Sequence, residues 1–301
     1  MNVAELPLAE LARRLVGSGL RLRTGAVVTQ IRSSIAAVRD GIALLYAEHP
    51  VEPDEGFADF RVRIALRGGP RRWIKRQVSF QFEGTAPFHP LPAAQAYPVL
   101  EWGLNWCVSA NCHQYLILHA AVLERAGRAL LLPAPPGSGK STLAAGLAAR
   151  GWRLLSDELA LIDPGTSSLV SLARPISLKN ASIEAVQRFA PGAVMGAVVH
   201  DTLKGSVAHM KPPSESTRRA PERALPAWIV LPRYEAQAPR RLERLPKGRA
   251  FMHLADNAFN YHLHGRKGFE LLVGLVERCA CYELSYGELA QAVEQCERLA
   301  A

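Results

Sequence analysis

A glycine-rich segment followed by lysine and serine carries the clearest chemistry in this sequence. Residues 134–141 read A-P-P-G-S-G-K-S, which departs from the phosphate-binding pattern G-x-x-x-x-G-K-[ST] only at its first position, where Ala134 replaces glycine. Main-chain N–H groups of such a loop point into one concavity, and the following helix adds positive potential at its N-terminus. We expect Lys140 to reach the β- and γ-phosphates of ATP and the Ser141 hydroxyl to ligate Mg²⁺. The expected nucleotide contacts in this loop are Pro136, Gly137, Ser138, Gly139, Lys140, Ser141 and Thr142.

The segments on either side of this loop provide the context that the motif requires. Two apolar runs, 115–123 and 129–132, flank the turn sequence E-R-A-G-R, which predicts a β-hairpin whose second strand leads into the loop. An Ala/Leu-rich helix is predicted from Lys140 to Arg150, with Gly151 as its cap. A strand, a glycine-rich turn and a helix in this order favour phosphate binding over the alternative, a Gly/Pro loop before an ordinary helix.

Two acidic residues follow the next apolar run. Asp157 and Glu158 come directly after W-R-L-L-S, and we predict that this run is a strand that returns beside the strand before the loop. Its end would then lie near the phosphates, where one acid can face an acceptor hydroxyl while the other supports metal or backbone. An exposed acidic turn is the alternative. Asp163 begins the turn sequence D-P-G-T, so we interpret it as a turn residue rather than a magnesium ligand, with 168–172 pairing back as a hairpin.

These residues together carry a resemblance to a known family. His119, Lys140-Ser141 and the run L-L-S-D-E ending at Glu158 resemble the core of bacterial HPr kinase/phosphorylase. His119 lies 21 residues before Lys140 and Asp157 lies 17 after it, and both intervals are similar to those of that family. The run R-P-I-S-L-K-N at 174–180 resembles the HPr-kinase-related branch called HprK-related kinase A. The resemblance covers residues 113–300.

The resemblance implies an α/β fold with a P-loop kinase domain of the HPr kinase/phosphoenolpyruvate carboxykinase type. It also implies ATP- and Mg²⁺-dependent transfer of a phosphoryl group to a serine hydroxyl. Asp157 is then the catalytic acid–base residue, and His119 is the histidine that supports it and the phosphates. Lys140 and Ser141 are the nucleotide and Mg²⁺ ligands, and Glu158, a further metal ligand, stands where the family usually has a second aspartate.

The sequence departs from that family in ways that leave the acceptor open. Besides Ala134 and Glu158, it lacks the Glu-x-Arg-Gly signature of true HPr kinases, so the resemblance implies neither HPr as the acceptor nor the reverse phosphorylase reaction. A serine in a peptide or small protein is the first expectation, and a small-molecule alcohol is the second. A regulatory ATPase or nucleotide-binding module without transfer is the rival, against which Asp157 argues, because a pure switch needs no acid placed for a second substrate.

Basic residues beyond the acids extend the predicted site. Arg174 and Lys179 precede a predicted helix at 181–189, and cations at a helix start suit an anion, so we expect both to contact the nucleotide. Residues 200–213 lack clear periodicity and predict a shaped loop that covers the acceptor. The segment 204–249 holds 11 Lys/Arg and four Glu, which favours an anionic substrate as much as a solvated basic surface.

The proline-rich stretch from Gly84 to Pro98 predicts a linker that divides the chain. It separates a small N-terminal α/β domain, 1–90, from the kinase domain, 91–301. In the first part, strands are predicted at 20–31, 60–66 and 73–82 and a helix at 35–46. A helix at 94–108 opens the second part, and a capping box, S-Y-G-E at 285–288, opens its last helix.

Composition narrows the class of protein further. With 49% apolar and 21% charged residues in 301, the chain can bury a full core. Its net charge of +9 favours an anionic partner, but no aromatic-rich basic motif or helix-turn-helix accompanies it, so we do not expect nucleic-acid binding. No apolar run reaches the roughly 18 residues of a membrane span. We therefore expect a cytoplasmic protein with reduced cysteines and without membrane contact. HPr kinases are hexamers, so a homo-oligomer is compatible with the resemblance.

Overall fold

The N-terminal part of the chain is built around one five-stranded sheet. The computed structural model describes residues 1–69, 75–135 and 137–301. The sheet order is β1-β2-β3-β4-β5, with β2 and β3 parallel and the other pairs antiparallel. Its elements are α1 (Leu8–Val16), β1 (Leu20–Thr24), β2 (Val27–Ser33), α2 (Ala36–Leu45), β3 (Phe60–Leu66), β4 (Gln77–Phe82), β5 (Leu91–Pro92) and α3 (Ala96–Asn111).

The helix at 35–46 and the strand at 60–66 are confirmed to within one residue, but the single strand predicted at 20–31 is wrong. That segment is the hairpin β1–β2, because Gly25 has a φ of +59° and reverses the chain. The strand predicted at 73–82 begins at Gln77, and the first part of that prediction, Trp73 included, lies outside the described residues.

The stretch from Gly84 to Pro98 is not a free linker, which corrects the prediction. Its residues form β5, which pairs with β4, and the first turn of α3. Pro98 is tolerated there because the first-turn N–H groups of a helix have no intrahelical acceptor. Helix α3 packs on the sheet so closely that a Cβ on Gly103 would lie 2.0 Å from the Phe80 ring. The division of the chain at residue 90 stays a prediction.

The rest of the chain forms two further sheets, so the described protein is a mixed α/β structure with several sheets. The strands are β6 (Leu116–Arg125), β7 (Arg128–Pro133), β8 (Arg153–Ser156), β9 (Leu159–Ile162), β10 (Leu169–Val170), β11 (Ile176–Lys179), β12 (Val199–Thr202), β13 (Gly205–Met210), β14 (Leu225–Tyr234), β15 (Arg241–Arg244) and β16 (Ala280–Tyr286). The helices are α4 (Lys140–Ala149), α5 (Ala181–Phe189), α6 (Ser214–Arg218), α7 (Lys247–Asp256), α8 (Tyr261–Arg278) and α9 (Leu289–Ala300).

The larger sheet has the order β10-β9-β6-β7-β14-β16-β15, with β8 also paired to β6. Strands β6 and β7 form the predicted hairpin, whose turn residues Ala126 and Gly127 both have positive φ. Strands β14 and β16 run parallel to β7, so the C-terminal ends of these three strands share one edge. Apolar residues of β6, β7, β14 and β16 form buried cores on the two faces of this sheet with α4, α9 and α8.

Strand β8 lies beside β6, which corrects the expectation that it returns beside β7. Both edges of β7 are already taken, one by its hairpin partner β6 and the other by β14. Because β6 is antiparallel to both β7 and β8, the latter two still run in the same direction. The end of β8 therefore points toward the same edge as the end of β7.

The prediction of an irregular loop at 200–213 is wrong, because this segment forms a β-hairpin, β12–β13. The hairpin pairs with β11 to form a three-stranded sheet. A register irregularity between Val199 and Thr202 removes the alternation that would mark β12 in the sequence. The Thr202 hydroxyl donates to the carbonyl of Gly205 at 2.7 Å and closes the turn.

The capping box predicted before the last helix is also wrong. Ser285 and Tyr286 belong to β16, and α9 begins at Leu289 after Glu288, which makes no side-chain cap. Pairing with β14 extends to Tyr286, so the sheet overrides the local helix-start signal. None of the helices in the described ranges has the length and apolar composition needed to cross a bilayer.

Candidate functional site

Two glycines with positive φ shape the loop between β7 and α4. Among the described residues of the loop, Gly137 and Gly139 have φ values of +88°. A Cβ on Gly139 would lie 2.3 Å from the Tyr286 hydroxyl, so glycine is required there for two reasons. Helix α4 begins at Lys140, and the N–H groups of its first turn have no intrahelical acceptor. Pro136, an expected nucleotide contact, lies outside the described residues.

Two strand ends hold this loop in place. The Tyr234 N–H donates to the carbonyl of Ser138 at 3.0 Å. The Tyr286 hydroxyl donates to the carbonyl of Gly139 at 3.2 Å. Tyr286 is fully buried and packs with the residues that line α4. Hydrogen bonds from β14 and β16 therefore position the loop, and no local sequence motif predicts these contacts.

Lys140 is a buried cation at the start of α4. Its side chain is 7% exposed, and Nζ makes no hydrogen bond to any residue in the described part of the chain. Burial lowers its pKa to about 8, against the opposing effect of the Asp157 and Glu158 carboxylates, and the charge of Lys179 lowers it further. An ammonium in this position gains free energy from any anion that enters the loop.

Asp157 follows β8 directly and is buried. The N–H of Ser177, on β11, donates to its Oδ2 at 2.9 Å, while Oδ1 has no hydrogen-bond partner within the described ranges. Burial, and then the charge of Glu158, raise its pKa to about 6; Lys140, the Ser177 N–H and the nearby Ser141 hydroxyl act in the opposite direction. One carboxylate oxygen is thus anchored and the other is left for a further group.

Glu158 is held by an asparagine that sequence reasoning missed. Asn105, on α3, donates from Nδ2 to Glu158 Oε2 and accepts at Oδ1 from Arg174 Nη2. Burial raises the pKa of Glu158, but the charges of Lys204, Lys179, Lys140 and Arg174 outweigh it, and the pKa is lowered. Asn105 is a polar residue within an apolar helix, and no pattern in the neighbouring sequence indicates that it contacts a distant carboxylate.

His119 lies on β6, level with the start of the loop. The residue after it, Ala120, pairs with Pro133 at the end of β7. Its ring packs edge-on against Phe259 with centroids 5.9 Å apart. Burial, and then the charge of Lys140, lower its pKa to about 4, so the imidazole is neutral at pH 7. The structure thus brings His119 into the electrostatic neighbourhood of Lys140 and Glu158.

Two lysines and an arginine surround the acids. Lys179 ends β11, and Lys204 lies at the tip of the β12–β13 hairpin with Nζ 5.0 Å from the centroid of the Trp102 ring. Burial, and then Lys179, lower the pKa of Lys204. Arg174 is buried and bonded to Asn105, on the α3 side of the acids, and its Nη1 has no hydrogen-bond partner among the residues described.

A cleft between α3 and the acids contains Asn105, Arg174 and both acids. It is lined by Glu101, Trp102, Asn105, Ser156, Asp157, Glu158, Leu172, Arg174, Pro175, Ser177 and His209. Residues 1–69, 75–135 and 137–301 contain no group of three or more His, Cys, Asp or Glu side chains arranged to hold a metal. Mg²⁺ in phosphate sites needs one or two carboxylates beside water and phosphate. The assignment of Ser141 and Glu158 as its ligands stays a prediction.

Comparison with known proteins finds similarity only among solved structures, of which 29 chains match. No family model and no curated protein matches the chain. Among solved structures, the HPr(Ser) kinase/phosphatase from Coxiella burnetii is similar, with 13% sequence identity and a TM-score of 0.27. The match covers 61% of this chain and 97% of that one. With so low a TM-score, the similarity does not identify the activity of the chain.

Proposed function

We propose that this protein is an ATP- and Mg²⁺-dependent kinase that transfers the γ-phosphate to a hydroxyl, with a serine of a peptide or small protein as the first candidate acceptor. One observation carries the proposal: the buried atoms Lys140 Nζ and Asp157 Oδ1 both lack hydrogen-bond partners in the described residues. Buried ionic groups are normally paired, and leaving them unpaired costs free energy. A phosphate beside Lys140 and a hydroxyl beside Asp157 supply the missing partners.

The phosphate end of the site is served by main chain and one ammonium. The free N–H groups at the start of α4 and Lys140 Nζ bind and orient the β- and γ-phosphates. Ser141 and Glu158 would hold Mg²⁺, which neutralises charge on the phosphate oxygens when bound. Asn105 keeps the Glu158 carboxylate in a fixed orientation by donating to its Oε2. Positioning and charge neutralisation are what phosphoryl transfer asks of a protein.

The acceptor end of the site is served by Asp157. The Ser177 N–H fixes Oδ2, so Oδ1 can accept the proton of a hydroxyl aligned with the γ-phosphate. With a pKa of about 6, the carboxylate is ionised at pH 7 yet more basic than a solvated aspartate. The neutral imidazole of His119 adds a hydrogen-bonding group without adding positive charge.

Two substitutions test this proposal. Lys140→Ala should abolish ATP binding in titration calorimetry, since it removes the cation of the loop. Asp157→Asn should retain ATP binding but lose transfer of labelled phosphate to a library of serine peptides, since it removes the proton acceptor. Asp163→Asn is the matched control, because the Asp163 carboxylate belongs to a turn, where it accepts from Gly165 N–H at 2.7 Å.

Different results would separate the parts of the proposal. Unchanged ATP affinity in Lys140→Ala would remove the nucleotide site from it. Full turnover in Asp157→Asn would show that another group is the base. The protein could also release phosphate at the same rate with and without an acceptor and label no peptide or alcohol. That result would favour an ATPase, which transfers the phosphoryl group to water.

A further inference from the structure

A half-exposed aromatic ring lies beside the phosphate-binding loop. Tyr234 is the last residue of β14 and pairs in register with Tyr286, the last residue of β16. The residue is 48% exposed, although its N–H is bonded to the carbonyl of Ser138 in the loop. A large aromatic side chain that is fixed at the main chain and open at the ring is suited to contact a planar ligand.

The position of Asp157 sets the direction in which a nucleotide must lie. Asp157 follows β8, which is separated from β7 by β6, whereas β14 lies directly on the other side of β7. If the γ-phosphate faces Asp157, the α-phosphate, ribose and base extend away from β8. The edge on that side consists of the C-terminal ends of β14 and β16, where Tyr234 lies.

The ring is also fixed relative to the loop. The Tyr234 and Tyr286 rings pack at 5.7 Å between centroids with an interplanar angle of 60°. Tyr286 in turn donates to the carbonyl of Gly139, and a Cβ on Gly139 would lie 3.0 Å from Cβ of Tyr234. A ligand that bridges loop and ring therefore meets a surface that is already arranged.

We infer that Tyr234 is the platform on which the nucleobase stacks, an inference that rests on the proposed nucleotide-binding function. Stacking uses the face of the base and reads none of its hydrogen-bonding edges. The platform therefore accepts adenine and guanine alike and contributes nothing to the binding of a triphosphate that has no base.

Calorimetric titration with two probes, ATP and inorganic tripolyphosphate, each with Mg²⁺, tests this assignment. In Tyr234→Ala, we expect ATP to bind about 10-fold more weakly or worse. Tripolyphosphate should bind as it does to the wild type. Tyr234→Phe should retain the wild-type affinity for both probes, because the ring is kept. Phe57→Ala removes another exposed ring, 78% exposed in the N-terminal part, and should change neither affinity.

The outcomes distinguish the platform from the loop. An equal loss for both probes in Tyr234→Ala would overturn the assignment, since the side chain would then act by shaping the loop. Unchanged ATP affinity in Tyr234→Ala would also overturn it, while leaving the proposed kinase site intact. A wild-type protein that binds tripolyphosphate as tightly as ATP would show that no base platform exists. One that binds neither probe would overturn the proposed function together with this inference.

Discussion

Burial raises the pKa of Asp157 and lowers the pKa of Lys140, because it disfavours the charged form of each group. The pKa of Asp157 rises to about 6 and that of Lys140 falls to about 8. Ionisation is therefore less favourable for each group than in water, but both groups are still charged at pH 7. Neighbouring groups of opposite charge with perturbed pKa values are typical of catalytic and binding sites. The residue types were recognisable in the sequence, whereas the lack of hydrogen-bond partners for Oδ1 and Nζ among the described residues depends on what surrounds them.

The raised pKa of Asp157 makes a prediction about stability. Because its pKa is about 6 when folded and 3.8 in a free side chain, the folded state binds this proton more tightly. The stabilising effect is complete below about pH 3.8 and is lost as the pH rises through 6. Asp157→Asn should therefore have a higher free energy of unfolding than the wild type at pH 8, by on the order of 3 kcal/mol. The difference should vanish near pH 4.

Urea unfolding at both pH values measures this difference. Asp163→Asn should behave in the opposite way, because N–H groups of its turn and Arg223 lower the pKa of Asp163, so that its carboxylate stabilises the fold above pH 3.8. A wild-type protein that is more stable than Asp157→Asn at pH 8 would contradict the burial argument.

At the scale of elements, α3 connects the N-terminal sheet to the acids of the candidate site. Its Leu100 and Leu104 are buried in the same core as strand residues of the N-terminal sheet, and its Asn105 contacts Glu158 and Arg174. The sequence predicted the helix but placed it after a linker, as an element without chemistry. One polar residue with two charged partners gives this helix a role in positioning Glu158.

Asn105→Ala tests that role. It leaves the Glu158 carboxylate and the Arg174 guanidinium without their shared amide, so we expect a loss of about 1–3 kcal/mol in unfolding free energy. A weaker dependence of ATP binding on Mg²⁺ should accompany it if Glu158 is a ligand. Asn111→Ala, which removes a bond to the carbonyl of Cys107 at the exposed end of α3, is the control and should cost less. Equal effects of the two variants on stability and on Mg²⁺ dependence would argue against the bridging role.

At the scale of the whole molecule, the candidate site lies where the ends of the larger sheet, the three-stranded sheet and α3 meet. Strand β7 supplies the loop, β8 supplies the acids, β11 supplies Ser177 and Lys179, and the β12–β13 hairpin supplies Lys204. The basic surface, the acceptor, the oligomeric state and the expected lack of nucleic-acid binding stay predictions. Lys140, Lys179 and Lys204 come from separate elements, so the site exists only in the folded chain.

Because the site forms only in the folded chain, ligand binding and folding stability should be linked. Lys140→Met removes a buried ammonium with no partner among the described residues, so we expect the nucleotide-free variant to melt at a higher temperature than the wild type. Added ATP and Mg²⁺ should raise the wild-type melting temperature, with a stabilisation of about 2.7 kcal/mol at a free concentration of 100 times Kd. They should leave Lys140→Met unchanged.

Thermal scans with and without ATP measure both effects. Lys267→Met, at an exposed position of α8, is the control for loss of a positive charge and should retain the ATP-dependent shift. A Lys140→Met variant that melts lower than the wild type without nucleotide would mean that this ammonium is paired and stabilising in the free protein.

Four local parts of this protein could be predicted from the amino-acid sequence: the β6–β7 hairpin, the glycine-rich loop, the start of α4 and the acids after β8. Short-range turn chemistry and apolar periodicity specify these parts, because their hydrogen bonds are formed within a few residues. Long-range packing, in contrast, places β8 beside β6, folds 200–213 into a hairpin and continues a strand through 285–286. It also decided that Asn105, Ser177 and Tyr234 contact the site. Strand order and such contacts join residues far apart in the chain, and no local pattern encodes the partner that a free edge or a buried polar atom will meet.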